Sequence, residues 1–129
     1  MMATNDDLRA AGKEIQGQLW PATRTAPAGQ FPAAKLAPEF FDYVQQTAFG
    51  MVWSRPGLAT RDRSMITVAM LASLGHLEEL RAHLLGALNV GLSRDELVEV
   101  LMQVAVYAGV PAAVAAFRVA ADVLGTPDP

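Results

Sequence analysis

Residues 65–89 read Met65-Ile66-Thr67-Val68-Ala69-Met70-Leu71-Ala72-Ser73-Leu74-Gly75-His76-Leu77-Glu78-Glu79-Leu80-Arg81-Ala82-His83-Leu84-Leu85-Gly86-Ala87-Leu88-Asn89. Two nearly apolar runs flank a short polar cluster, and Gly75 stands where a helix that has run its course needs a C′ glycine. The pattern predicts one helix from Thr60 to about Leu74 and a second from about Leu77 to Asn89, closed by Gly91. The cluster between them holds both histidines of the chain, two adjacent carboxylates and Arg81.

Downstream, Ser93-Arg94-Asp95-Glu96 is a capping box that opens a further helix to about Ala108. Its Leu97, Val100, Leu101, Val104 and Tyr107 recur at helical spacing. Gly109 stops it, and Pro111 starts a last Ala/Val-rich helix, Ala112 to Leu124. Upstream, Met51 to Leu58 reads as a loop around the Pro56-Gly57 pair. Pro38 opens a helix over Glu39–Gly50, and Pro21 to Pro38 reads as an extended, surface-wrapping linker. Thr4 or Asn5 caps a first helix, with Asp6 and Asp7 in its first turn. Its apolar stripe (Leu8, Ile15, Leu19) is thin, so it must pack on something else. No strand pattern is present. The expected architecture is an all-α bundle of about six helices joined by short turns. Residues 1–37 form an N-terminal helix and Pro-rich segment, 38–125 a helical domain and 126–129 a tail.

The chain has 129 residues, the length of one domain, with 52% hydrophobic and only 18% charged residues. Small domains have much surface for their volume, so this composition implies apolar surface buried between subunits. A net charge of −3 argues against a nucleic-acid groove or an anionic membrane as partner. The absence of cysteine excludes disulfides, thiolate metal sites and thiol redox chemistry. Met1 to Asp7 shows no signal peptide, and the longest low-polarity run, Val104–Phe117, is too short to span a bilayer, so a cytoplasmic protein is expected.

On a helix, positions 76, 79, 80 and 83 share one face. Glu79 and His83 form an (i, i+4) pair in which the carboxylate can orient the ring and raise its pKa. His76 lies at the helix N-terminus, where the dipole favours the neutral form. One neutral and one cationic histidine make a workable proton donor and acceptor near pH 7. The same residues also fit a surface pair, or a two-histidine, one-carboxylate metal site. Arg61, Arg63 and Arg81 read either as solvated helix charges, pairing with Asp62 or Glu78, or as carboxylate anchors, which the planar guanidinium suits. Trp53 is a core plug or a pocket wall. Tyr107 reads as core with its hydroxyl reaching a partner, and it joins Trp53 and Met51 among the candidate binding residues.

Several blocks together carry a resemblance: Ala48-Phe49-Gly50, Val52-Trp53-Ser54-Arg55-Pro56-Gly57-Leu58, Arg61-Asp62-Arg63-Ser64, Glu78-Glu79-Leu80-Arg81 with His83, Asn89-Val90-Gly91-Leu92-Ser93, and Tyr107-Ala108-Gly109-Val110-Pro111-Ala112-Ala113. Over roughly residues 40–124 the chain resembles the gamma-carboxymuconolactone decarboxylase family. The resemblance implies the alkylhydroperoxidase-like helical fold and a trimeric or hexameric homo-oligomer. Peroxidase relatives carry Cys-x-x-Cys-x-x-x-His. In that register His83 matches the histidine, while His76 and Glu79 stand where the cysteines would be, so the likeness is to the decarboxylase branch. Met51 replaces a commonly acidic residue and Val114 a commonly polar one, which makes the implied pocket more apolar.

What the resemblance implies is loss of carbon dioxide from an unsaturated lactone acid without a cofactor or metal. His83 would deliver the proton, Glu79 orient it and His76 support it, with Arg63, Arg81 or Arg61 holding the substrate carboxylate and Trp53 and Met51 excluding water. The alternatives are a cofactor-free lyase, isomerase or hydrolase acting on a more hydrophobic carbonyl compound, and a non-catalytic ligand-binding or assembly protein.

Overall fold

The computed structural model describes residues 2–21 and 32–125. The chain divides into two units, Met1–Thr60 and Arg61–Pro129. Among the described residues there are seven α-helices, one π-helical segment and no strand.

In the first unit, helix α1 spans Asn5–Leu19. Thr4 caps it reciprocally: Asp7 N–H donates to Thr4 Oγ1 at 3.1 Å, and Thr4 N–H donates to Asp7 Oδ2 at 2.9 Å. The second of these bonds holds the Asp7 carboxyl below its usual range. Of the expected linker, 22–31 lie outside the described residues. Pro32–Leu36 is a short helix, α2, instead of extended chain. Proline at the first helical position followed by two alanines favours that turn. Helix α3, Pro38–Val44, then runs without a break into a π-helical segment, Gln45–Trp53.

That segment corrects the expected helix end at Gly50 and the loop expected from Met51. Gly50 is no terminator here. A Cβ placed on it would collide with the backbone carbonyl of Leu8, and one on Gly12 would collide with the carbonyl of Gln45. These two glycines let α1 and the π-helical segment meet backbone to backbone. Ile15, Leu19 and Phe49 are buried, and Trp20 meets Phe49 edge-on at 6.0 Å between ring centroids. Arg9 grips Asp42 with both arms of its fork, Nε to Oδ1 at 2.7 Å and Nη2 to Oδ2 at 3.1 Å, which keeps the Asp42 carboxyl well ionised. Gln45 Nε2 donates to Gln16 Oε1 at 2.7 Å, tying the same pair of elements.

The second unit carries α4 (Thr60–Leu74), α5 (Leu77–Asn89), α6 (Arg94–Ala108) and α7 (Val110–Leu124). These agree closely with the four helices expected from the sequence. Gly75 at φ +74 ends α4, and Gly109 at φ +107 makes the sharp joint between α6 and α7, both in a region closed to most side chains. The Ser93–Glu96 capping box is formed. Val68, Ala72, Leu80, Leu84, Ala87, Leu97, Leu101, Val104 and Ala116 pack into one apolar core. Each fully buried leucine there contributes on the order of 2 kcal/mol of burial free energy.

Tyr107 departs from expectation: it is 83% exposed, not core. It occupies the last turn of α6 at the rim of the apolar stripe, beyond Val104, where the helix is already running out. Met102, Val106, Val110 and Val114 around the same corner are exposed as well. Among the described residues, no helix is long and apolar enough to cross a membrane.

Candidate active site

Helix α5 begins beyond His76, which occupies the N-cap without a side-chain cap bond and is exposed. Its backbone performs the chain reversal: His76 N–H donates to Leu71 O at 3.0 Å, and its own carbonyl accepts from Leu80 N–H at 2.9 Å. Glu78 and Glu79 fill the first turn, where the helix dipole favours anions. Leu80 and Leu84 are fully buried, and the stripe they define carries His83 inward with them. The ring is half-buried, and its Nδ1 is shielded from solvent.

Burial decides the charge of His83. Desolvation pushes its pKa down to about 4, and the carboxylate of Glu79, one turn earlier, offsets only part of that. The ring is therefore neutral at pH 7. This corrects the expectation of a cationic His83: Glu79 is exposed, and water screens its pull on a ring that sits largely out of solvent. Among the described residues no three His, Asp or Glu side chains converge as a metal site. His76, with ψ of 75°, has already left the helical path on which the three-ligand alternative depended.

The three candidate arginines differ sharply. Arg61 pairs with Glu96 and lies 3.7 Å from Asp62, tying the first turn of α4 to that of α6. Arg81 Nη2 donates to Asp122 Oδ2 at 3.1 Å, joining α5 to α7; its partner is Asp122 and not Glu78. Arg63 is half-buried with Nε shielded, on the same turn of α4 as Arg61. Trp53 and Met51 belong to the first unit. Trp53 lies against Phe49 at 5.7 Å between centroids, and Met51 is 52% exposed.

One residue escaped the sequence reasoning. Ser64 is 0% exposed, a buried polar side chain on an otherwise apolar row with Val68 and Ala72. The i, i+4, i+8 spacing of that row was the available signal. A small hydroxyl at its head reads as surface unless the row is followed through.

The sequence model of the Carboxymuconolactone decarboxylase family matches residues 38–122. The 4-carboxymuconolactone decarboxylase of Acinetobacter baylyi is 44% identical over 85 residues, covering 66% of this chain and 63% of that protein. The nitrosuccinic acid decarboxylase of Metarhizium robertsii is 35% identical over 78 residues, covering 60% of this chain and 54% of that one. An uncharacterised 15.0 kDa protein of Paracoccus denitrificans is 29% identical over 96 residues. The match thus spans less than two thirds of the length of either named decarboxylase.

Proposed function

We propose carboxy-lyase activity for this chain, which belongs to the carboxymuconolactone decarboxylase family. The substrate class is a small unsaturated lactone acid of the 4-carboxymuconolactone kind, by likeness to the 44% identical relative. One observation carries the assignment: a neutral imidazole, His83, sunk into an apolar core beside a single flanking carboxylate.

The chemistry follows from that environment. An anionic substrate arriving near the ring opposes the desolvation that keeps it neutral, so His83 takes up one proton as substrate binds. The bond to the carboxylate carbon then breaks and carbon dioxide leaves. The electron pair spreads into the unsaturated lactone as a dienolate, and His83 returns its proton to carbon. The electron sink lies in the substrate, so no cofactor enters the scheme. Glu79 supports the protonated ring, and Arg63, the candidate arginine outside the Glu96 and Asp122 ion pairs, holds the substrate carboxylate. The roles of Met51, Trp53, Tyr107 and His76 rest on the family resemblance. A homo-oligomer is supported by the exposed corner of Met102, Val106, Tyr107 and Val110, and light scattering after size exclusion tests it.

The test is carbon dioxide release from 4-carboxymuconolactone by wild type and His83→Ala. Loss of about 10²–10⁴ in turnover is expected for a proton-transfer group. An unchanged rate removes His83 from the scheme. The neutral ring also favours a second assignment, proton abstraction beside a carbonyl in an isomerase. Solvent deuterium entering the substrate without carbon dioxide release would select it.

A further inference from the structure

Ser64 is fully enclosed, and among the described residues its Oγ has no hydrogen-bond partner. A serine inside a helix ordinarily relieves itself by donating to the carbonyl four residues back. In the same helix Thr67 does so, its Oγ1 donating to Arg63 O at 2.8 Å. Ser64 instead bears the desolvation penalty of an unpaired hydroxyl. Alanine would fit the position, remove the penalty and favour the helix. A hydroxyl kept against that gradient calls for a use outside the fold's own stability.

Its surroundings indicate the use. Val68 and Ala72, one and two turns along the same row, enter the core that also holds Leu80 and Leu84, the residues that flank His83. The preceding residue is Arg63, half-buried, with its Nε shielded. A guanidinium and a hydroxyl on consecutive residues are complementary donors for a carboxylate, which has two oxygens and accepts several hydrogen bonds. We propose that the Ser64 hydroxyl is a substrate-binding donor, held without an internal partner so that it can bond one oxygen of the substrate carboxylate while Arg63 meets its charge. This rests on the decarboxylase assignment for the identity of the acid, but not for the grip itself.

The test uses the full chain in four forms: wild type, Ser64→Ala, Arg63→Lys and the double variant. Each is followed by thermal unfolding, by kcat and KM for carbon dioxide release from 4-carboxymuconolactone, and by calorimetric binding of the ring-saturated acid, which cannot decarboxylate. Ser64→Ala is expected to unfold at a higher temperature than wild type while KM and Kd rise about ten- to a hundredfold, the worth of a hydrogen bond to a charged group. Its effect should shrink in the Arg63→Lys background, because the two side chains hold one group. A lower unfolding temperature for Ser64→Ala overturns the proposal, because the hydroxyl would then already be satisfied within the fold. Affinity within about twofold of wild type overturns it too. If wild type binds the acid without releasing carbon dioxide and Ser64→Ala still weakens binding, the decarboxylase assignment falls and the grip stands. If wild type neither binds nor turns over the acid, both fall.

Discussion

Glu79 stands one helical turn before His83, and its charge does not keep that ring protonated. The carboxylate faces water, while the ring is drawn inward between Leu80 and Leu84. Coulombic attraction across a wet gap is weak, and desolvation of a buried cation is strong. The centre of the candidate site is thus an imidazole held uncharged in the absence of substrate.

Stability should fall on acidification because of it. Unfolded, the ring titrates near the ordinary 6.5; folded, at about 4. Between these values the unfolded chain binds a proton that the folded chain refuses. The stability present above pH 6.5 is therefore lost as pH drops toward 4, by up to about 3 kcal/mol. Urea unfolding at stepped pH measures the slope, and His83→Gln should flatten it over that window.

Neutralising Glu79 should act in the opposite sense to removing the burial. In Glu79→Gln the ring loses its flanking anion, so its pKa falls further and the acid limb of the kcat/KM profile moves to lower pH. The shift should be less than about one unit, since Glu79 is exposed. A shift to higher pH would show that the carboxylate acts on some other group.

The arginines should separate by readout. Arg81→Ala removes a largely exposed ion pair with Asp122 and should cost less than about 1 kcal/mol, read from chemical denaturation. Arg63→Ala should raise KM about tenfold or more, as loss of a charged carboxylate contact does. Equal effects of both on KM would remove Arg63 from its role.

Two glycines on α1 give a paired control. Gly12→Ala drives a methyl group into the Gln45 carbonyl, a backbone atom that cannot swing aside, and should destabilise the first unit by about 1–3 kcal/mol. Gly17→Ala, on the same helix, meets nothing and should stabilise by up to about 1 kcal/mol. Matched thermal shifts for the two would mean that the close approach is not tight.

Much of the second unit was legible because its signals are local. The Ser93–Glu96 box, Gly75, Gly91 and Gly109 mark helix ends through backbone geometry that few residues can adopt, and the leucines of α5 and α6 repeat at helical spacing. The first unit was less legible. Gly50 reads as a stop, whereas its lack of a side chain serves a contact with Leu8, far away in sequence. For the site, spacing brought Glu79 and His83 together but could not weigh water against burial, and that balance sets the charge. The partners of Arg61 and Arg81, at Glu96 and Asp122, lie on helices whose packing no local pattern reports.

The backbone contact of α1 with the π-helical segment has a practical consequence for anyone producing this protein in pieces. Trimming the chain to the family-matched stretch, 38–122, would strip Phe49 of the cover that Trp20 gives it and leave Gly50 facing solvent where Leu8 now lies. The smallest fragment that keeps its own skin therefore starts ahead of Thr4, well upstream of where sequence likeness begins.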